Sequence, residues 1–229
     1  MTAWAGLLPF ADAPDLSERF QRLDDHLRKA PATGDGSEIF DLAWDAFLAL
    51  PEEPTTEARA MCLLGIARNR WLRGLAFDGI EPANHAVAVA ERLKNDLVLA
   101  KCLNMLSVMY METGNFPAAM TALTRALPAA RNAGDSDQES GIFNNLGLAH
   151  QYAGQFSMAI PCFERSIEVS HSAATPRLTQ ALPLLNIAVA SLYLRDFSRG
   201  LSAAERAIEV LGEPSDDSER MARATIEFA

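Results

Sequence analysis

Asparagine and aromatic side chains recur along this chain in a pattern suited to binding a polypeptide. Asn104 and Asn144 are 40 residues apart, and Asn145 and Asn186 are 41 apart. An asparagine amide both donates and accepts hydrogen bonds, so a ladder of them could hold a peptide backbone while large side chains anchor the peptide's own side chains. The candidate binding residues are Arg68, Trp71, Asn104, Met111, Asn144, Asn145, Gln151, Tyr152, Asn186 and Tyr193.

The elements that position these residues are predicted to be helices. Residues 143–167 contain two helical patterns separated by a break at Gly154. Before the break, Leu146, Gly147 and His150 fall on one side of a helix that advances about 100° per residue. After it, apolar residues recur at steps of three and four, as in a second amphipathic helix that folds back on the first. The segment therefore predicts a helical hairpin, with the candidate residues on the exposed side of the first helices.

The hairpin pattern is repeated along the chain. Gly74, Gly114 and Gly154 are separated by 40 and 40 residues. A fixed period of this kind is the signature of a repeat protein in which each unit leans on the next. The same register is kept by large apolar residues, namely Ile66, Leu106, Leu146 and Ile187, and by Phe116, Phe156 and Phe197.

The repeated unit resembles the tetratricopeptide repeat. The third copy supplies Leu146, Gly147, Gly154, Phe156, Ala159 and Phe163 of that family's pattern, with His150 in place of its tyrosine and Ser166 in place of its last alanine. The second copy supplies Leu106, Tyr110, Gly114, Phe116, Ala119 and Ala126, while the first and fourth are looser, with Ala76 at the aromatic place and Arg195 at the glycine place. The usual period is about 34 residues, and the longer period here is similar to the variety in adaptor proteins and bacterial signalling regulators. The resemblance implies an all-α, right-handed α-solenoid of antiparallel helix hairpins, with a concave groove that binds a protein or peptide.

Four regions are predicted from this register. Residues 1–14 form an apolar arm, and residues 15–54 a helix pair that is either a degenerate repeat or a cap. Residues 55–215 hold the four repeats, and residues 216–229 resemble a final helix that is either a truncated repeat or a cap. A sharper hypothesis places the arm in the groove as an internal ligand.

The first helices of the hairpins are predicted at about 56–73, 97–113, 136–153 and 177–194, and the second helices at about 78–93, 117–132, 157–171 and 197–211. Asp15 with Glu18, and Ser136 with Glu139, have the spacing of capping boxes. Pro128 lies inside a predicted helix and is expected to kink or shorten it, because proline removes a backbone hydrogen bond.

Charge and composition narrow the partners. A net charge of -10 disfavours nucleic acid and anionic membrane surfaces as partners. The chain has no apolar run long enough to span a membrane, and its N-terminus lacks the basic start of a secretion signal, so a cytoplasmic location is expected. Cys62 and Cys102 are 40 residues apart, and together with Cys162 they are interpreted as buried free thiols, with a disulfide or metal site as the alternative.

No pattern favours catalysis. The sequence has no phosphate-binding loop, no nucleophile elbow and no metalloprotease helix motif. The four histidines are scattered, and His150 is interpreted as filling a core position. No catalytic residue, cofactor or metal is therefore expected.

The leading functional prediction is a non-catalytic scaffold that binds a protein or peptide in its groove. An alternative is the regulatory domain of a larger bacterial signalling protein, such as a diguanylate cyclase or a transcription regulator. A homodimerisation module is a further alternative. Some residues of the face, such as Leu148 and Val189, could instead pack against the neighbouring repeat.

Overall fold

The computed structural model describes residues 15–30, 38–48, 55–170, 177–213 and 220. Ten α-helices and no strand occur in these ranges, and the expected fold class, an all-α solenoid of antiparallel helix hairpins, is confirmed. The apolar arm at 1–14 lies outside the described residues, and so does the final helix at 216–229 except for Arg220.

The helices fall into two compact units, Met1–Ala118 and Ala119–Ala229. In the first unit, α3 and α4 form a hairpin, α4 and α3 both pack on α5, and α1 and α2 pack on α3. The five helices are α1 (Leu16–Leu27), α2 (Glu38–Leu48), α3 (Glu57–Leu72), α4 (Ala76–Leu93) and α5 (Asp96–Glu112).

The second unit is built from two complete hairpins. Helices α7 and α8 form one, α9 and α10 form the other, and α9 packs on both α8 and α7. Helix α6 begins just before the boundary and continues into this unit. The helices are α6 (Phe116–Asn132), α7 (Ser136–Tyr152), α8 (Phe156–Val169), α9 (Arg177–Tyr193) and α10 (Phe197–Leu211).

The turn inside each repeat has one geometry. Gly74, Gly114 and Gly154 have φ angles of 73°, 76° and 74°, and Arg195 takes the same place with φ 59°. In the third copy, the Gln155 backbone N–H donates to the His150 carbonyl at 2.8 Å. This bond across a left-handed residue closes the C-terminus of the first helix and turns the chain into the second. The predicted glycine turns are therefore confirmed, with arginine adopting the glycine conformation in the fourth copy.

The helix caps match the sequence predictions at one place and differ at another. Asp15 caps α1, and its carboxylate accepts from the Glu18 backbone N–H at 2.9 Å. The prediction of Ser136 as the cap of α7 is wrong, because Asp135 has the extended backbone of a cap and accepts from the Gln138 N–H at 2.9 Å. Ser136 is instead the first residue of the helix. An aspartate one residue earlier offers the same capping chemistry, and it takes the position.

The expected shortening of the helix at Pro128 is also wrong, since α6 continues past Pro128 to Asn132. Buried alanines on both sides of the proline, at Ala126, Ala129 and Ala130, hold this part of α6 in the core. Tertiary packing thus outweighs the missing backbone bond, in the way that it commonly overrides local propensity.

Close approach within the α7–α8 hairpin depends on Gly147. A Cβ placed on this residue would lie 2.4 Å from the ring of Phe163, well inside van der Waals contact. Phe163 is fully buried and shares a core cluster with Ala159, Ile187 and Ala203. The glycine is therefore required by the ring that lies on it.

Candidate functional site

In the first unit, the candidate residues lie on α3 and α5, which are neighbours. Arg68 and Trp71 are exposed on α3, and Asn104 is half-buried on α5. The Trp71 indole Nε1 donates to the Glu112 carboxylate at 3.1 Å, which ties the end of α3 to the end of α5. Trp71 is thus oriented by a charged acceptor from the next repeat, and Glu112 is a contributor that the sequence prediction left out.

Met111 does not fit the anchor role expected for it. Its side chain is only 8% exposed, on the buried side of α5. The register places Met111 with Trp71, Gln151 and Leu192, and this set ranges from buried to exposed. Sequence spacing alone could not reveal which of these side chains turns inward.

In the second unit, the asparagine ladder has one direct rung. The Asn186 amide Nδ2 on α9 donates to the Asn144 carbonyl Oδ1 on α7 at 3.0 Å. This bond uses one donor of Asn186 and the acceptor of Asn144, so the Asn144 amide nitrogen and the Asn186 carbonyl oxygen face further bonding. The two groups have the same chemistry as a peptide bond.

Three more candidates lie on α7 beside this rung. Asn145 and Gln151 are half-buried, and Tyr152 is 56% exposed. The Gln151 Oε1 atom is buried and has no hydrogen-bond partner among the described residues. A buried acceptor without a donor is destabilising until a donor arrives. We call Asn144, Gln151, Tyr152 and Asn186 the amide face.

Tyr193, at the end of α9, packs on the preceding hairpin. Its ring stacks on Phe156 with centroids 4.3 Å apart and an interplanar angle of 6°. One ring face is therefore covered while much of the side chain stays exposed. Phe156 was missing from the predicted site, although its place in the aromatic register marks it as a recurring residue at the hairpin turn.

An apolar surface on α9 and α10 was also missed by the sequence prediction. It borders a pocket of about 380 Å³ and consists mostly of leucine, valine and phenylalanine side chains. We call this surface the terminal apolar face, and it comprises Leu182, Val189, Leu192, Phe197 and Leu201, all of them exposed.

Groups with reactive potential lie away from both faces. The three cysteines are free, Cys62 and Cys102 being buried, as predicted, and Cys162 half-buried. Burial raises the pKa of the Cys102 thiol to about 12 and raises the pKa of Cys62 well above its usual range. Both therefore stay protonated at neutral pH, and a protonated thiol is a poor nucleophile.

His150 is half-buried, and its ring Nδ1 lies 2.8 Å from the Gln155 Oε1 atom, so it bridges the helix end to the turn. Across the described residues, no group of three or more His, Cys, Asp and Glu side chains is arranged to hold a metal ion. None of the helices in the described ranges combines the length and apolarity needed to cross a membrane.

Comparisons with known proteins agree with the geometry. Residues 99–133 and 141–173 match the family model described as tetratricopeptide repeat. Two similar solved structures are nearly identical TPR-like repeats of a Podosopora anserina kinesin light chain and BtubC (BKLC) from P. vanneervenii. The first has a TM-score of 0.68 and 14% identity, covering 84% of this chain and 94% of that one. The second has a TM-score of 0.69 and 16% identity, covering 91% and 83%.

A third similar structure is a Rap protein complexed with competence and sporulation factor. Its TM-score is 0.70 at 14% identity, and the match covers 90% of this chain and 57% of that one. No curated protein matches the sequence. At these identities the structural matches establish a shared fold.

Proposed function

We propose that this chain, a tetratricopeptide-repeat protein, is a non-catalytic scaffold that binds an extended or helical segment of another protein on the exposed side of its first-type helices. The amide face of the second unit is the principal contact. Trp71 and Arg68 offer a further contact within the first unit.

The observation that carries this proposal is the Asn144–Asn186 bond. It holds two amides in a fixed orientation, with a donor and an acceptor left over. A peptide backbone needs one acceptor for its N–H and one donor for its carbonyl, and the pair supplies both. Because the amides are already held by their mutual bond, less ordering accompanies binding.

Two neighbouring groups support the same role. The buried Gln151 Oε1 atom accepts no bond within the described residues, so an incoming N–H would satisfy it. Tyr152 is exposed and can bury its ring against a partner side chain, as tyrosines often do at the centre of interfaces. The four residues carry no formal charge, and the partner segment is accordingly proposed to be neutral and amphipathic where it meets them.

A regulatory role is the second candidate. A fold shared with a Rap protein, whose structure holds competence and sporulation factor, favours a chain that reads a signalling ligand. In that case the same face takes the ligand and passes its presence to an output module. Self-association through this face is a third candidate, and mass measurement in solution over a dilution series distinguishes it. Three free cysteines favour a reducing compartment such as the cytoplasm.

The test uses a displayed library of random linear peptides selected on the intact chain. Selected peptides are then titrated by fluorescence anisotropy against the wild type and against the double variant Asn144→Ala with Tyr152→Ala. Loss of one hydrogen-bonding amide and one aromatic anchor should weaken binding by about tenfold or more. Circular dichroism should show the helices intact.

Met158→Ala is the matched control. Met158 is also 56% exposed and lies in the same hairpin, but on the second helix. Peptides should bind this variant as they bind the wild type. Equal affinity for the double variant and the wild type would rule out the amide face as the binding site.

A further inference from the structure

The terminal apolar face is unusual because the equivalent surface of the preceding hairpin is covered. Ile160 on α8 is 3% exposed, since α9 packs on α8. Its counterpart one repeat later is Leu201 on α10, which is 63% exposed. Phe197 is likewise exposed where Phe156 is half-buried. A contiguous exposed apolar surface of this kind normally marks a contact, and here the repeat register predicts a first-type helix as the covering element.

The sequence after α10 continues that register. Small residues recur at the buried contact of each first-type helix, at Ala60, Ala100, Ser140 and Ala181, and Ala222 follows 41 residues later. The capping position held by Asn95 and Asp135 is followed at the same interval by Asp217. Arg220, the one described residue beyond Glu213, is helical. The stretch 220–229 therefore has the pattern of a further first-type helix.

The facing side chains also match in size. On α9, Ile187 packs in one cluster with Ala159 and Phe163 of α8. One repeat later the two α8 places are held by Gly200 and Ala204, which border the pocket of about 380 Å³. The place of Ile187 is then held by Phe228. Smaller residues on α10 thus coincide with a larger residue in the following segment, as interdigitating core layers require.

We propose that residues 220–229 form a first-type helix that lies on the terminal apolar face, with Phe228 in the pocket beside Gly200 and Ala204. The segment covers the last hairpin and closes the apolar core of the second unit. It also extends the exposed side of the first-type helices by one helix, with Glu227 in the register of Asn145 and Asn186.

The test measures the accessibility of the face in the intact chain. Leu201→Cys is introduced, and its alkylation by N-ethylmaleimide is followed by mass spectrometry of the peptide containing position 201. The cysteine should react at least about tenfold more slowly than in unfolded chain, the equilibrium factor expected when a phenylalanine seals the site. Adding Phe228→Asp should remove most of this protection, whereas Glu227→Ala, the neighbouring control, should leave it.

The protection must also be independent of protein concentration and belong to a species of monomer mass. Protection that disappears on dilution would assign the face to a second copy and overturn the proposal. So would a cysteine that reacts freely in the intact chain, or one whose protection Phe228→Asp leaves unchanged. The reactivity of buried Cys62 reports global unfolding; if Phe228→Asp raises it, Phe228→Ser replaces that variant and is judged by the same outcomes.

Discussion

Two hairpins of the second unit bring their helices together with different residues at the same places. In α7–α8, Gly147 lies under the ring of Phe163, whereas α9–α10 has Ala188 and Ala204. One hairpin combines the smallest residue with a large one, and the other combines two small residues. The comparison indicates that the shared volume, more than either residue alone, is what the helix contact requires.

The turns of the two hairpins differ in the same instructive way. Gly154 and Arg195 both have positive φ, at 74° and 59°, and both turns are closed by the same backbone hydrogen bonds. Glycine adopts this conformation without a steric cost, and arginine does not. The fourth hairpin therefore holds its turn against local strain, which its packing has to offset.

Phe163→Ala should have the largest effect. The side chain is fully buried, and its removal leaves a cavity above Gly147, so the free energy of unfolding should fall by about 3–5 kcal/mol. Urea unfolding followed by circular dichroism measures this. A loss below about 1 kcal/mol would mean that α7 and α8 can close on each other without the ring, contrary to the comparison.

Gly147→Ala should destabilise by about 1–3 kcal/mol, because the added methyl group meets the Phe163 ring. Gly141→Ala on the same helix is the matched control. Nothing lies within 4 Å of a Cβ at Gly141, so alanine there should stabilise by up to about 1 kcal/mol through helix propensity.

The double variant Gly147→Ala with Phe163→Ala reproduces the residues of the fourth hairpin. Its two changes should be non-additive, with Gly147→Ala costing little once the ring is gone. Additive losses would show that the glycine is needed for some reason other than Phe163.

The turn comparison is sharpened by exchanging residues. Gly154→Ala should cost about 1–2 kcal/mol, because a Cβ at that site has open space and only the left-handed backbone opposes it. Arg195→Gly should raise the free energy of unfolding by about 1 kcal/mol. If the arginine variant is instead less stable, the Arg195 side chain contributes a contact that outweighs the backbone strain.

The smallest effect is expected where the two hairpins meet at the Phe156–Tyr193 stack. Tyr193→Ala should lower the free energy of unfolding by about 0.5–1.5 kcal/mol, whereas Tyr193→Phe keeps the ring and should be close to neutral. Tyr152→Ala is the contrasting variant, since Tyr152 is proposed to contact a partner. A stability loss from Tyr152→Ala as large as that from Tyr193→Ala would blur the distinction between a packing tyrosine and a binding one.

The helices could be predicted closely from the sequence because period and turn chemistry agree. The first helix of the third copy, expected at about 136–153, spans Ser136–Tyr152, and the glycine turns have the expected positive φ. The cap of α7 could not be assigned between Asp135 and Ser136, since adjacent residues offered the same chemistry. The continuation of α6 past Pro128 depends on burial that only the packed structure reveals.

The candidate site was harder to predict than the fold. Sequence register pairs Asn186 with Asn145, yet Asn186 bonds to Asn144, because neighbouring helices meet with an offset that a repeat period does not contain. Met111 and Trp71 share a register position and differ in burial. A repeat pattern identifies which side of a helix faces outward, but the last few ångströms depend on how each hairpin leans on the next.

The central claim, that a partner segment lies on the amide face, is tested most directly by photo-crosslinking. A benzophenone amino acid is placed at position 152 or, in a separate protein, at position 158, and each is irradiated with a peptide selected on the wild-type chain. We expect covalent capture from position 152 and little from position 158. Capture from position 158 alone would contradict the account and move the binding surface to the second-type helices.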